Sequence, residues 1–447
     1  MQKETNVKYP KNRMRKYYQA FLLVTAIFSV ITLLFYRHEY YKLRYVLEVF
    51  NYFGKPHQDG VKTNCLKTVN DVKKISLGLS EPLSSWQRLD EDLYLYSSFV
   101  TNSNKIQTIS YGRLDNLDLN CFIFFNELLT PIPGKFSFSV IGNTSDIPGK
   151  TAYRGYRLVC EYTENMIPVG VSYQPKDQLL FNSKSPILSV KVQDKQLQYN
   201  GSAICVSPPL HIPMSNADMI SFLNYHDLVG MTHFIVYDYG IPNSFHKAIK
   251  NLIDDADKGW NFTYEIIPWN FPIRDIHPNV IRKIIECDCL YRTYHKVMYA
   301  TTMSWEEYLV LKYHAIVSDL LVDYERTKMY GNRYVVSSQT FCTEQKDHER
   351  SKNSTPIILK KIFTSPNALD LNLLHIYKPH ESVDLKNVKS LKAASNLIIL
   401  NRYVSCIDYN PMNKSNNNET SILRLAGDII NSPIHKKFIK GNMFDDQ

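Results

Sequence analysis

The sequence predicts an α/β domain that follows a β-rich subdomain and a single N-terminal transmembrane helix. Three patterns lead to this prediction: an uncharged apolar run near the amino terminus, short β-branched and aromatic runs up to about residue 205, and alternating strands and helices beyond it. The predicted parts are a cytosolic tail at 1–16, a transmembrane signal anchor at 17–36, a stem at 37–90, the β-rich subdomain at 91–202 and the α/β domain at 203–447.

The apolar run between Phe21 and Tyr36 contains no charged residue, and residues 17–20 extend it to about twenty positions. A helix of that length is roughly what is needed to cross about 30 Å of hydrocarbon. More lysine and arginine precede the run than follow it, which predicts a cytosolic amino terminus and a lumenal remainder, a type II arrangement. The alternative is a cleaved signal peptide, but the run is long for one and ends in a poor cleavage context.

Two further features are typical of a lumenal glycoprotein. Six N-x-[ST] sequons are present, at Asn143, Asn200, Asn261, Asn353, Asn413 and Asn418. The eight cysteines all follow the apolar run, which predicts disulfide bonds, and Cys121 and Cys160 lie on two β-type runs that a bridge can join. The net charge of +9 forms no basic stripe, so nucleic acid is not an expected partner.

Beyond residue 203 the pattern alternates. Apolar runs at 203–206, 233–238 and 262–269 read as strands, and the segments 215–229 and 245–253 read as the helices between them. This alternation predicts a parallel sheet, in which ligands bind beyond the carboxyl ends of the strands. Asp238 and Trp269 are expected at that edge, although Trp269 is more simply a packing residue than a platform for a sugar.

Five pieces of the chain stand out, in this order: Ala203 to Leu210, Phe222 to Gly230, Thr232 to Asp238, Ile267 to Trp269, and Asp288 to Arg292. In their order and approximate spacing, these pieces of residues 203–410 resemble the family 92 glycosyltransferases. The resemblance implies a GT-A-like (Rossmann-type) fold, a place in the Golgi membrane, and transfer of a hexose. The expected donor is a UDP-sugar, with UDP-galactose first, and the expected acceptor is an N-glycan or another lumenal glycoconjugate.

The chain departs from this family at the residues expected to bind metal. The family carries an Asp-x-Asp-Glu segment, because the donor diphosphate needs a divalent ion with hard oxygen ligands, Mn²⁺ or Mg²⁺. Here Ser304 stands in place of the first aspartate and Glu306 in place of the second. Near the end, where the family has His-Tyr-Arg, this chain has Asn401, Arg402 and Tyr403.

Five residues are therefore the expected site residues. Glu306 and His375 are the expected metal ligands, and Glu307 is the expected general base for the acceptor hydroxyl. Asp238 and Asp288 are expected to contact the donor nucleotide or its sugar. The alternative for each is structural: a solvated acid for Glu306 and Glu307, a turn aspartate for Asp238, a helix-surface residue for Asp288 and a buried structural histidine for His375.

Three functions compete at this stage. The first is an active glycosyltransferase. The second is a catalytically impaired member of the same family that binds glycans or proteins, which the serine at position 304 favours. The third is an adhesion or receptor ectodomain that binds through its β-rich region, and the ordered matches beyond residue 203 argue against it.

Overall fold

The computed structural model of the protein describes part of the chain. The described residues are 24–25, 29, 86–101, 104–113, 118–142, 153–178, 180–182, 185–192, 201–209, 214–254, 262–272, 278–349, 356–364, 374–382, 388–406 and 419–439. The chain divides into two units, 1–65 and 66–447, and all of the described strands belong to the second. The predicted tail, most of the predicted anchor and the predicted stem up to residue 85 lie outside the described residues.

The predicted fold class, an α/β, GT-A-like domain behind a β-rich subdomain and one transmembrane helix, is wrong. The described chain is mostly β, with strands in three sheets and helices that are few and mostly short. Ser98 and Phe99 pair with Val190 and Lys191, and this pairing closes a sheet of seven strands in the amino-terminal region. Among the residues the structure describes, no helix is long and apolar enough to cross a membrane.

The amino-terminal sheet has eight strands. They are β1 (Gln87–Asp90), β2 (Leu93–Thr101), β3 (Lys105–Arg113), β4 (Leu119–Phe125), β5 (Ile132–Val140), β6 (Tyr153–Glu161), β7 (Pro168–Pro175) and β8 (Ile187–Lys191). Their order is β1-β2-β3-β6-β5-β4-β7-β8, and β2 also pairs with β8. The predicted Cys121–Cys160 disulfide is confirmed and lies in the core of this sheet. Strand β5 changes partner at Gly134, where a Cβ atom would lie 2.4 Å from the Cys160 sulfur.

The second sheet has seven strands. Its strands are β9 (Ser202–Ser207), β10 (His233–Asp238), β11 (Thr263–Pro268), β12 (Tyr299–Ser304), β14 (Arg333–Val336), β16 (Leu374–Tyr377) and β17 (Ser390–Lys392). The helices that connect the first four strands are α1 (Asn216–Leu228), α2 (Asn243–Asp254) and α3 (Pro278–Thr293). The strand order is β11-β10-β9-β12-β16-β14-β17, and the first four strands are parallel. The strands and helices predicted between 203 and 269 are confirmed as individual elements, and the Ser215 side chain caps α1 by accepting the Asp218 N–H.

A third sheet and several short helices complete the described chain. The sheet pairs β13 (Glu307–Leu311), β18 (Ile398–Val404) and β15 (Ser338–Cys342), in that order. The helices are α4 (Val317–Arg326), α5 (Ile357–Lys360), α6 (Pro379–Ser382), a 3₁₀ turn (Ser421–Leu425), α7 (Ala426–Asn431) and α8 (Pro433–Ile439). A Cys342–Cys406 disulfide joins β15 to the chain that follows β18.

Helix α3 fixes the first sheet to the second. Its Ile284 and Ile285 belong to one buried cluster with Ala203 and Cys205 of β9 and with Ile109 of β3. A Cys205–Cys289 disulfide links α3 covalently to β9. Helix α1 packs in the core on the other face of the same sheet. The parallel strands are therefore covered on both faces, which leaves their carboxyl edge as the place where polar side chains gather.

Candidate active site at the carboxyl edge of the parallel strands

The strand order of the second sheet reverses between β9 and β12. From β9 the chain continues outward through β10 to β11, and then returns to place β12 on the other side of β9. The crevice beyond the carboxyl ends at such a reversal is the usual ligand site of open parallel sheets. Ser207 and Ser304, the last residues of β9 and β12, face each other in register at this point.

Asp238 ends β10 and fixes the turn that follows it. Its Oδ1 accepts the N–H groups of Gly240 and Ile241, at 2.9 and 2.7 Å. Nε2 of His246 lies 3.4 Å from its Oδ2, and Nδ1 of His246 is 2.9 Å from the Tyr264 hydroxyl. Burial works to raise the pKa of Asp238, but His246 and the two N–H groups outweigh it and hold the pKa below its usual range. Asp238 is thus an ionised carboxylate at the sheet edge.

Glu306 lies in the turn between β12 and β13, and Tyr239 follows Asp238 directly. Burial, the charge of Glu306 and the charge of Asp238, in that order, raise the pKa of Tyr239 to about 12. Tyr239 therefore keeps its phenolic proton at neutral pH. Asp238 ends β10 and Tyr239 follows it, while Glu306 follows β12, and these are the two strands on either side of β9. We call Asp238, Tyr239 and Glu306 the edge cluster.

Glu307 points away from solvent and is held by two guanidinium groups. Its Oε1 accepts from Nη1 of Arg282 at 2.8 Å and from Nε of Arg402 at 3.1 Å, and its Oε2 accepts the Ser304 N–H at 3.0 Å. Burial works to raise the pKa of Glu307, but Arg282 and Arg402 keep it below its usual range. A general base works best with a pKa near the operating pH, so these contacts fit a residue that positions the 304–306 turn.

Asp288 lies away from the edge, at the junction of the first two sheets. Its carboxylate accepts the hydroxyls of Ser97 and Tyr237, the latter at 2.5 Å, and pairs with Arg292 one turn further along α3. Its side chain is fully buried. We call Ser97, Tyr237, Asp288 and Arg292 the buried hub. The predicted contact of Asp288 with the donor stays a prediction, and its oxygens already have protein partners.

His375 is brought to α3 and not to the edge cluster. Its Nδ1 lies 3.2 Å from Oε1 of Glu286 and 3.5 Å from Nζ of Lys283, and Glu286 also accepts from Tyr377 and, at Oε2, from Lys283 at 3.0 Å. Burial works to raise the pKa of Glu286, but Lys283 and His375 hold it well below its usual range. Across the described ranges, no group of three or more His, Cys, Asp or Glu side chains is placed to hold a metal ion.

Two buried hydroxyls border the edge cluster. The side chains of Ser304 and Tyr308 are buried, and neither hydroxyl has a hydrogen-bond partner within the part of the chain that the structure describes. Buried polar groups are nearly always satisfied, so each hydroxyl is expected to have a partner that the described residues do not supply. By contrast, Trp269 is enclosed by Trp86, Tyr96, Tyr237 and Phe271, which confirms its packing role.

Three residues of this region were not among the predicted site residues: Tyr239, His246 and Glu286. Tyr239 directly follows a predicted strand end, so its place at the edge was available as a signal. Glu286 lies four residues after Arg282, a spacing that puts both on one face of a helix. No local signal links His246 to Asp238, because their contact depends on how α2 returns along the sheet.

Comparison with known proteins gives little further information. No protein-family profile matches the chain, and no curated protein matches it. Among solved structures, one similar chain is the UDP-glucose pyrophosphorylase from Acinetobacter baumanii, at 8% sequence identity and a TM-score of 0.24. The match covers 54% of this chain and 98% of that chain. A likeness this low establishes neither a shared fold nor a shared activity, so the chemistry of the edge carries the interpretation.

Proposed function

We propose that the protein is a Golgi glycosyltransferase that transfers a hexose, with galactose the first candidate, from a UDP-sugar to a glycan acceptor in the lumen. The observation that carries this proposal is the edge cluster. Two carboxylates and a phenol lie at or just after the carboxyl ends of β10 and β12, the two parallel strands that flank β9 where the strand order reverses. Ribose and sugar hydroxyls are hydrogen-bond donors, and carboxylates are the acceptors that suit them.

The transfer itself needs one bond to form and one to break. An acceptor hydroxyl oxygen bonds to the anomeric carbon, the bond from that carbon to the β-phosphate oxygen breaks, and UDP leaves with the bonding electrons. The hydroxyl proton passes to a basic group. Glu307 stays the predicted base, but its acceptor oxygens are engaged by Arg282, Arg402 and the Ser304 N–H.

The pair of Glu286 and His375 supplies a second candidate for the base. Nδ1 of His375 faces Oε1 of Glu286 and Nζ of Lys283, so Nε2 is the ring nitrogen proposed to take the proton. Glu286 lies one helical turn from Arg282, which in turn binds Glu307.

The predicted Mn²⁺ or Mg²⁺ fits this site only as an ion that arrives with the donor. Such ions are commonly held by one or two carboxylates together with substrate phosphates. Glu306 is the carboxylate in place for that arrangement, and His375 is already bonded to Glu286. When bound, the ion would neutralise charge on the departing diphosphate. Glu306 would orient it from the turn that Glu307 and Arg282 hold in place.

The lumenal setting is supported by three disulfides: Cys121–Cys160, Cys205–Cys289 and Cys342–Cys406. Disulfides of this number are typical of proteins that fold in the oxidising secretory pathway. An impaired relative that binds glycans without transferring them is the second candidate. The hydroxyl of Ser304 at the reversal point, in place of a carboxylate, is the observation that favours it.

Turnover with a panel of UDP-sugars separates the two candidates. The purified full-length chain is incubated with UDP-galactose or another UDP-sugar and a lumenal-type glycan, with and without Mn²⁺, and released UDP is measured. The transferase proposal expects UDP release that depends on the acceptor. If no donor gives turnover while a glycan still binds, the impaired relative is the correct description.

A further inference from the structure

We propose that the second half of strand β5 pairs with the same strand of a second copy of this chain, so that two copies form a symmetric dimer. This inference is independent of the proposed function, because it concerns the first sheet and not the carboxyl edge of the second. The pairing joins the two first sheets through backbone hydrogen bonds and a shared apolar face.

The second half of β5 has a neighbouring strand on only one side. Residues 132–134 pair with β4, but over residues 135–140 the strand pairs with β6 alone among the described residues. An open strand edge is a template for another chain, and proteins usually protect it with charge, proline or a bulge. Lys135 is the one charged residue of β5, and the stretch Phe-Ser-Phe-Ser-Val that follows it has neither charge nor proline. This stretch is therefore an unprotected edge.

The backbone groups on the open side belong to Phe136, Phe138 and Val140. Successive residues of an antiparallel strand point their N–H and C=O groups to opposite sides. The N–H of Ile141 bonds to the carbonyl of Gly155 at the start of β6, and the register back to residue 135 is unbroken, so the odd-numbered residues face β6. The even-numbered residues face away from β6, toward the side on which no described strand pairs with them.

The side chains of the same residues make this edge apolar. Phe136 packs against the core of the first sheet beside Tyr173, whereas Phe138 is 44% exposed and Val140 is 40% exposed. The ring of Phe138 lies between those of Phe136 and Tyr156. The side chains share one face because residues two apart point to the same side of a strand. The core of the sheet thus continues onto the surface here, as it does at protein contact sites.

A second copy satisfies this edge in a single register. A two-fold axis beside Phe138 places Phe138 opposite itself and Phe136 opposite Val140 of the partner subunit. These are the residues whose backbone groups face outward, so each exchanges both N–H···O bonds with the residue opposite. The two copies of Lys135 then lie about 20 Å apart at opposite ends of the pair, so like charges do not meet. Such self-complementarity is what a two-fold dimer requires.

Cysteine crosslinking tests the register. Phe138→Cys brings two thiols face to face in the dimer, with Cα atoms about 5.5 Å apart, which a disulfide can span. Lys135→Cys is the matched control on the same strand, because its two thiols lie about 20 Å apart. After oxidation of the purified full-length chain, we expect Phe138→Cys to give a covalent dimer on a non-reducing gel. Lys135→Cys should give no more than the wild type.

Self-association tests the pairing itself. Phe138→Lys puts two like charges opposite each other at the axis and should weaken dimerisation by about tenfold or more. Ile167→Lys is the control, because Ile167 is 64% exposed and lies outside β5. The mass of the full-length chain is measured by analytical ultracentrifugation in density-matched detergent. We expect a dimer for the wild type and for Ile167→Lys, and a shift toward the monomer for Phe138→Lys.

Three results would each overturn the proposal. They are a wild type that stays monomeric at micromolar concentration, a dimer that Phe138→Lys leaves intact, and equal crosslinking of the two cysteine variants. A melting temperature of Phe138→Lys within a few degrees of wild type shows that the monomer is folded. If Phe138→Lys does not fold, the comparison of the two cysteine variants decides.

Discussion

The edge cluster and the buried hub both present acidic side chains that the sequence marks as candidate ligands, yet they differ in their surroundings. In the hub, Asp288 is fully buried and its oxygens are taken by Ser97, Tyr237 and Arg292. In the edge cluster, Asp238 also has protein partners, the N–H groups of Gly240 and Ile241 and the ring of His246, but its side chain is 22% exposed at the end of β10. The difference is one of exposure: the hub carboxylate is closed to solvent, whereas the Asp238 carboxylate lies at the carboxyl end of the parallel strands, where ligands usually bind.

Removing the hub carboxylate has the largest expected effect. Asp288→Ala leaves Arg292 buried without its charge partner and removes the acceptor of the Tyr237 hydroxyl. Breaking a buried ion pair in this way costs about 3–5 kcal/mol. Urea unfolding of the wild type and the variant measures the difference in the free energy of unfolding.

Asp323→Ala is the matched control for the hub variant. Asp323 pairs with Arg326 and lies near His314, but it is half-exposed, so its loss should cost about 1 kcal/mol or less. Equal effects of the two variants would mean that the hub does not stabilise the junction of the sheets.

Neutralising Glu307 has the next largest effect. Glu307→Gln keeps the shape of the side chain but leaves Arg282 and Arg402 without their shared carboxylate. Losing hydrogen bonds to charged groups in a buried position costs about 2–3 kcal/mol. The free energy of unfolding measures this cost, and the pH profile of UDP release tests the general-base role. A stable variant whose pH profile loses its acidic limb, where the rate rises as the base loses its proton, would favour the base over the positioning role.

His226, a buried neutral group in α1, predicts a pH-dependent stability. Burial lowers the pKa of His226 to about 3, whereas the unfolded chain titrates near 6.5. Between about pH 3 and 6.5 the unfolded state binds more protons than the folded state. The stability that buried, neutral His226 contributes is therefore complete above about pH 6.5 and is lost as the pH falls. The slope is about 1.4 kcal/mol per pH unit, or about 2 kcal/mol between pH 6.5 and 5.

His226→Gln checks this assignment by difference. Glutamine can accept the Leu309 N–H that His226 accepts, but it does not titrate. As the pH falls from 6.5 to 5, the free energy of unfolding of the wild type should decrease more than that of the variant. Parallel pH curves would show that His226 is not the group responsible.

The smallest expected effect concerns the support of Asp238. Tyr264→Phe removes the hydroxyl that lies 2.9 Å from Nδ1 of His246 and so frees that ring to rotate. We expect a loss of about 1 kcal/mol in stability and a few-fold loss in UDP affinity. Calorimetry and thermal unfolding measure the two quantities. A change in stability with no change in UDP affinity would show that His246 does not hold Asp238 in place for binding.

The sequence predicted local elements better than the architecture. Strands at 203–206 and 233–238 and the Ser215 cap were correct, because periodicity and capping are local properties. The closed sheet was missed because it depends on β2 pairing with β8, about ninety residues away along the chain. No pattern within either strand specifies that partner.

In the candidate site, too, positions set by local pattern were predictable and contacts set by strand pairing were not. Asp238 was placed correctly at a strand end, since the strand itself was predictable. The engagement of Glu307 by Arg402 was not predictable, because it arises from the pairing of β13 with β18. Likewise, His375 meets Glu286 only because β16 lies next to β12 under α3.

The most direct test of the central claim is the affinity of the full-length chain for UDP-galactose, measured by calorimetry with Mn²⁺ present. Glu306→Gln changes the edge cluster, and Asp323→Asn changes a half-exposed acid in α4. The account predicts that the wild type binds the donor, that Glu306→Gln weakens binding by about tenfold, and that Asp323→Asn leaves it unchanged. Absence of donor binding, or equal affinities in wild type and Glu306→Gln, would contradict it.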